Sequence, residues 1–168
     1  ATLGGAYAGT TGPTITWSLA SGSATGSFSG TSQANGISTT TFTPTSTGTA
    51  KIVATVGAYS CEKDFTVYAR PTFSTTSVTH PTTCGGTGAI TLSGGNIAAS
   101  TSYVVGFTRG STAYGPYTIA SNGSSQIVIN TASTAAGVMI AGSYTNITIS
   151  LNGCTSTAST ATLSDPTP

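Results

Sequence analysis

At 168 residues the chain has room for one large domain or two small ones of about 70 to 100 residues each. Only 4% of its residues are charged and the net charge is +1, with Lys51, Lys63, Arg70 and Arg109 scattered, so no basic stripe is present to neutralise nucleic-acid phosphates. No apolar run reaches the ~18 residues that cross a bilayer as a helix, and three cysteines without a CxxC pair, beside a single histidine, give no zinc site.

Hydrophobic residues make up 37% of the chain. Disorder needs high net charge as well as low hydrophobicity, and here threonines alternate with Val, Ile, Phe and Tyr. The branched Cβ of threonine suits a pleated surface. The composition therefore predicts a folded, all-β protein with hydroxyls in place of charges on its solvent faces. Near-zero net charge leaves little repulsion between copies, which favours association. The chain begins without Met or a charged-then-apolar leader and reads as a mature or excised piece of something longer.

Strand signals recur every 8 to 12 residues, separated by Gly, Ser, Asn and Pro, as in a sandwich. In the first half, Thr14–Leu19 places Ile15, Trp17 and Leu19 on one face. Trp17 reads as the core plug between sheets. Short strands follow at Gly26–Ser29 and at Ser38–Phe42, the latter stopped by Pro44. Thr49–Val56 puts Ala50, Ile52, Ala54 and Val56 on one face, with Lys51, Val53 and Thr55 on the other. Asp64–Ala69 closes the unit, and Arg70-Pro71-Thr72 reads as a linker.

The second half begins near Phe73. Its expected strands are Ala89–Leu92, Ser102–Thr108, Tyr117–Ala120, Gln126–Asn130, Tyr144–Leu151 and Ser156–Leu163. Gly94-Gly95, Asn122-Gly123 and Asn152-Gly153 are turns. Helix signals are weak; Thr131–Ala141 allows one short turn. Ser164–Pro168 resembles a second joint. The expected units are residues 1–71 and 72–168, the second with a long central insertion over Gly106–Ala136.

Acid–base chemistry needs paired titratable groups. The acids are Glu62, Asp64 and Asp165. Glu62 and Asp64 share a strand face and read as a charged rim alternating with Lys63. His80 has no acid near it in sequence. No catalytic residue, cofactor or metal is expected. Tyr114 and Tyr117 flank Gly115-Pro116 on an expected loop, where rings can stack on sugars or anchor a partner; they are the candidate ligand contacts. Tyr103 and Phe107 share a strand face and read as core. Two Asn-X-Ser/Thr tripeptides, at Asn122 and Asn146, carry little weight in so threonine-rich a chain.

Cys84 precedes the first expected strand of the second unit and Cys154 follows its penultimate one. In a secreted sandwich such ends can be neighbours, so a Cys84–Cys154 disulfide is expected; closing that ~70-residue loop contributes roughly 4 kcal/mol on the chain-entropy model. Cys61 is left over. Its expected partner lies before Ala1, where a strand already looks under way, or on a neighbouring copy.

Certain segments resemble a known family. Thr14–Leu19, Gly26-Ser27-Phe28 and Thr41–Val56 look like the immunoglobulin-like (Ig-like) repeats of very large Bacteroidota surface proteins, including SprB-like gliding adhesins. Cys84-Gly85-Gly86-Thr87-Gly88-Ala89-Ile90-Thr91-Leu92 and Gly142–Cys154 look like the same type of repeat. The resemblance implies two tandem immunoglobulin-like β-sandwich domains, export to the cell surface or medium, and a non-catalytic role in adhesion, gliding or filament formation. Expected partners are neighbouring copies or adjacent repeats of the same protein, and surface glycans. Two other roles fit the residues: a filament subunit joined by strand addition, and a carbohydrate-binding module of a secreted polysaccharide-degrading enzyme.

Overall fold

The computed structural model describes residues 3–4, 14–34 and 37–167. Among them every regular element is a β-strand. The chain divides into two compact units, Ala1–Ala69 and Arg70–Pro168. The strand expected at Ala1, and with it a partner for Cys61 beyond that end, lies outside the described residues.

The first unit contains β1 (Leu3–Gly4), β2 (Thr16–Gly22), β3 (Gly26–Ala34), β4 (Ile37–Pro44), β5 (Gly48–Val56) and β6 (Tyr59–Val67). They form two antiparallel sheets, ordered β1-β4-β3 and β2-β5-β6. The alternation read in β5 is kept: Leu19 stands opposite Ile52, Trp17 opposite Ala54, and Ala50 opposite Phe65. Val53, on the other face, is buried as well, in mid-sheet between Ser18 and Glu62.

Four rings join the two sheets. Trp17 packs on Phe28 at 6.5 Å, Phe28 on Phe42 at 5.2 Å, and Phe42 edge-on to Phe65 at 5.1 Å. Such offset and edge contacts add to simple area burial. The Trp17 indole N–H donates to the hydroxyl of Ser38 across the sheets (3.3 Å), which satisfies a serine only 1% exposed.

The second unit contains β7 (Thr75–Thr79), β8 (Ala89–Ser93), β9 (Ser102–Arg109), β10 (Thr112–Ala120), β11 (Ile127–Ile129), β12 (Gly142–Leu151), β13 (Cys154–Thr155) and β14 (Ser159–Leu163). One sheet runs β11-β8-β7. The other runs β10-β9-β12, with β13 and β14 both on the far side of β12. Ile90 and Leu92 of β8 and Ile127 and Ile129 of β11 face Tyr103, Val105 and Phe107 of β9 and Ile147 and Ile149 of β12 in one core cluster. The end of β9, β10 and β11 fill most of Gly106–Ala136. Thr131–Ala141 holds turns and bends rather than a helix.

β12 departs from strict alternation. Its pairing slips by one residue on both sides, between Tyr144 and Ile147 toward β14 and between Thr145 and Thr148 toward β9. Asn146 takes the extra step with φ of 51°, a left-handed value that asparagine tolerates. Tyr144 and Ile147, three apart, thus both point into the core.

Arg70, Pro71 and Thr72 are tied to the second unit. The Arg70 guanidinium donates to the Thr155 carbonyl (2.6 Å), its own carbonyl accepts from the Asn96 amide (2.9 Å), and Pro71 is buried. The Thr72 N–H donates to the Asn96 side-chain carbonyl (2.6 Å).

Candidate functional site

Neither carboxylates nor histidine assemble a reactive pair. Glu62 and Asp64 share one exposed face of β6, with Lys51 of β5 beside them; the Lys51 ammonium donates to Glu62 at 2.9 Å. That hydrogen bond first, then the charges of Glu62 and Asp64, hold the Lys51 pKa above its ordinary value. His80 is exposed and its Nδ1 accepts from the Ser164 N–H (3.0 Å). Among the described residues no group of three or more His, Cys, Asp or Glu is placed to hold a metal ion.

Tyr114 and Tyr117 are not on a loop. Both lie in β10, where the pairing with β9 shifts at Gly115-Pro116. The shift places two tyrosines three apart on one face, stacked on Phe107 at 5.6 and 6.0 Å. Gly115 is required there: its φ is 106° and a Cβ would stand 2.7 Å from the Val105 carbonyl. Both rings are half-buried rather than displayed as a platform. An open concavity beside β10, of about 310 Å³, is lined by a mixture of amides and hydroxyls such as Asn122, Gln126 and Ser133 with aliphatic groups such as Ile119 and Val128, without an aromatic ring.

Sequence reading missed the cluster around Arg109. This guanidinium donates to the carbonyls of Gly137 (2.9 Å) and Val138 and to the Tyr114 hydroxyl (3.1 Å), and stands 5.2 Å over the Tyr114 ring. The Tyr144 hydroxyl lies 2.9 and 2.6 Å from the carbonyls of Val138 and Ile140. Arg109 and Tyr144 together pin the segment that leads into β12. Burial pushes the Tyr144 phenol above the ordinary tyrosine pKa, and Arg109 pulls it partly back. A raised folded-state pKa stabilises fully below the unfolded value near 10 and is lost as pH rises beyond it. Absorbance at 295 nm should therefore show a late phenol ionisation above the ordinary tyrosine range, together with the loss of near-ultraviolet dichroism; Tyr144→Phe should abolish the late step. A late step that survives the substitution contradicts this assignment.

The expected Cys84–Cys154 disulfide is not formed; both thiols are free. Cys84 sits in the loop from β7 to β8, where the neighbouring Gly85 N–H donates to the Asp165 carboxylate (3.1 Å) just past β14. β14 ends at Leu163, opposite Gly142 at the start of β12, whereas Cys154 stands opposite Leu151 at the end of β12. The two cysteines therefore flank opposite ends of a ten-residue strand, about 30 Å long. A disulfide needs Cα atoms within about 7 Å. In native protein kept with no reductant, Cys84 and Cys154 should each take one iodoacetamide, read by peptide mass; a linked pair of these peptides contradicts the placement.

The remaining exposed feature is β6. Tyr59 to Asp64 are all exposed, Tyr59 at 83%, and Cys61 is a free thiol opposite Ala54. β6 ends its sheet: among the described residues no strand pairs with its outer edge. The sequence signal was available, since Ser60-Cys61-Glu62-Lys63-Asp64 carries no large apolar side chain on either face, a common property of edge strands. No family model, curated protein or solved structure matches the chain.

Proposed function

We propose that this chain is a structural repeat of a secreted bacterial surface adhesin or extracellular filament, built from two immunoglobulin-like sandwiches in series. The observation that carries the reading is strand order. Immunoglobulin constant-type domains place strands A, B, E and D in one sheet and C, F and G in the other. Taking β1 to β6 as B to G gives B-E-D and C-F-G for the first unit. Trp17 then falls on the C strand, where such domains carry their core tryptophan. In the second unit β7-β8-β11 reads as A-B-E, and β10-β9-β12-β14 reads as C′-C-F-G. The role is mechanical: each sandwich is a stiff bead in a quasi-one-dimensional array, and neighbouring copies or repeats are its partners.

The inward stacking of Tyr114 and Tyr117 on Phe107 counts against a sugar platform on β10. The test is immunogold labelling of intact source cells and of their culture medium with antibodies raised to this chain. Label on surface fibres or on released filaments is the expected result. Label seen only after the cells are broken open overturns the reading.

A further inference from the structure

We propose that the outer edge of β6 pairs antiparallel with the same edge of a second copy of this chain, about a two-fold axis at Cys61. The proposal deepens the structural reading above and rests on it for the setting in which copies meet.

Hairpin geometry sets which groups face outward. β5 and β6 are joined by the two-residue turn Gly57-Ala58, with Val56 opposite Tyr59. In such a hairpin the closing pair exchanges both backbone hydrogen bonds, and every second pair does the same. Tyr59, Cys61, Lys63 and Phe65 therefore direct their backbone groups to β5. Ser60, Glu62 and Asp64 turn theirs to the free side, ready for another strand.

Identical edges can lie antiparallel in one sheet only about an axis normal to it, so one residue must stand opposite its own copy. An axis at Glu62, Lys63 or Asp64 sets like charges opposite one another, which is destabilising. An axis at Phe65 leaves Tyr59 and Ser60, at the exposed end of the strand, outside the contact. An axis at Ser60 leaves Lys63 and Asp64 beyond the paired strands. An axis at Cys61 sets no like charges opposite one another and leaves only Asp64 of the charged residues beyond the paired strands, opposite the turn residue Ala58. Ser60 then meets the partner's Glu62, through backbone groups that already face outward. Tyr59 meets the partner's Lys63, ring against ammonium. Glu62 keeps its Lys51 partner at 2.9 Å. The charges of β6 thus face no like charge in this register, and a net charge of +1 puts little long-range repulsion in its way.

In that register Cys61 forms a non-hydrogen-bonded pair with its copy. Facing Cα atoms at such a site stand about 4.5 Å apart, inside the range a disulfide spans. A disulfide oxidant such as glutathione disulfide would link them. The two Cys61 thiols give up two electrons and two protons as their sulfur–sulfur bond forms, and the oxidant leaves as two glutathione thiols.

The test uses the full chain carrying Cys84→Ser and Cys154→Ser, incubated with glutathione disulfide over a range of protein concentrations and run on non-reducing gels. The comparator also carries Cys61→Ser and Lys63→Cys, which moves the thiol two positions along the same face and off the axis. Covalent dimer should form at least tenfold faster through Cys61. Equal rates mean collision of exposed thiols and overturn the proposal. A second readout needs no thiol chemistry. In the Cys61→Ser chain, amide exchange at Ser60 and Glu62 should slow as protein concentration rises, while exchange at Lys63 stays constant. Exchange independent of concentration at all of these positions also overturns it. Neither failure touches the immunogold result, and label confined to the cell interior would leave the pairing result standing.

Discussion

Phe42→Ala is expected to destabilise the first unit by about 3 kcal/mol, at the bottom of the range for deleting a fully buried ring because Phe42 is half-buried. Phe42 is the middle of the ring series: it alone touches both Phe28 beside it and Phe65 on the opposite sheet. The rest of that interior is small, with Ala24 and Ala50 among its buried residues, so nothing large can relax into the cavity. A unit of 69 residues has little stability in reserve. The measurement is native-state hydrogen exchange on the full chain. Amides of β2 and β5 should lose two to three powers of ten in protection, with those of β9 and β12 as the internal reference. Phe42→Leu keeps most of the volume and should cost about 1–1.5 kcal/mol. A change below about 1 kcal/mol for the alanine variant would mean that the rings do not form the core.

The all-β class was legible because alternation survives wherever a strand is straight. In β9, Tyr103, Val105 and Phe107 are buried while Val104 is 44% exposed, a period of two. In β8, Ile90 and Leu92 repeat the pattern. What failed to read was every place where a strand changes phase. Gly115-Pro116 has the composition of a turn, so Tyr114 and Tyr117 were placed on a loop; in β10 the same dipeptide forms an irregularity inside a strand. Asn146 likewise shifts β12 by one residue, and a strict alternation drawn through Tyr144 would put Ile147 on the wrong face.

The cysteines show a different limit. Sequence order placed Cys84 before one strand and Cys154 after another, but strand order alone does not say at which end of a sandwich a loop emerges. β12 runs its full length between them. Cys61 was legible as the odd thiol, and the polar run Ser60–Asp64 around it marks an edge strand; which strand that edge pairs with is a property of the fold rather than of one strand's sequence. The Arg109 cluster was hidden for a related reason. Its acceptors are carbonyls of Gly137 and Val138, 28 and 29 residues away, and a backbone carbonyl leaves no mark in a sequence.

Tyr144→Ala should be the most damaging single change in the second unit, at about 4 kcal/mol. The ring is fully buried and packs on Phe107 at 5.6 Å, and its hydroxyl reaches carbonyls of the segment entering β12. Tyr144→Phe separates the two contributions. It keeps the ring and removes the hydroxyl, so the Ile140 carbonyl loses its donor, at about 1–2 kcal/mol. Arg109→Ala should cost a comparable amount, since it removes the donor to Gly137 and the contact over Tyr114. The Tyr144 hydroxyl has one proton for two carbonyls, Val138 and Ile140, while Arg109 also donates to Val138. With Arg109 gone the phenol can serve only one of the two; with the phenol gone Arg109 still serves Val138. Each single change therefore leaves one carbonyl without a donor and the double change leaves two. The double variant, Arg109→Ala with Tyr144→Phe, should equal the sum of the single changes to within about 0.5 kcal/mol in a denaturant-based cycle. A double variant less stable than that sum by about 1 kcal/mol or more would show that the two donors do not hold the carbonyls one for one.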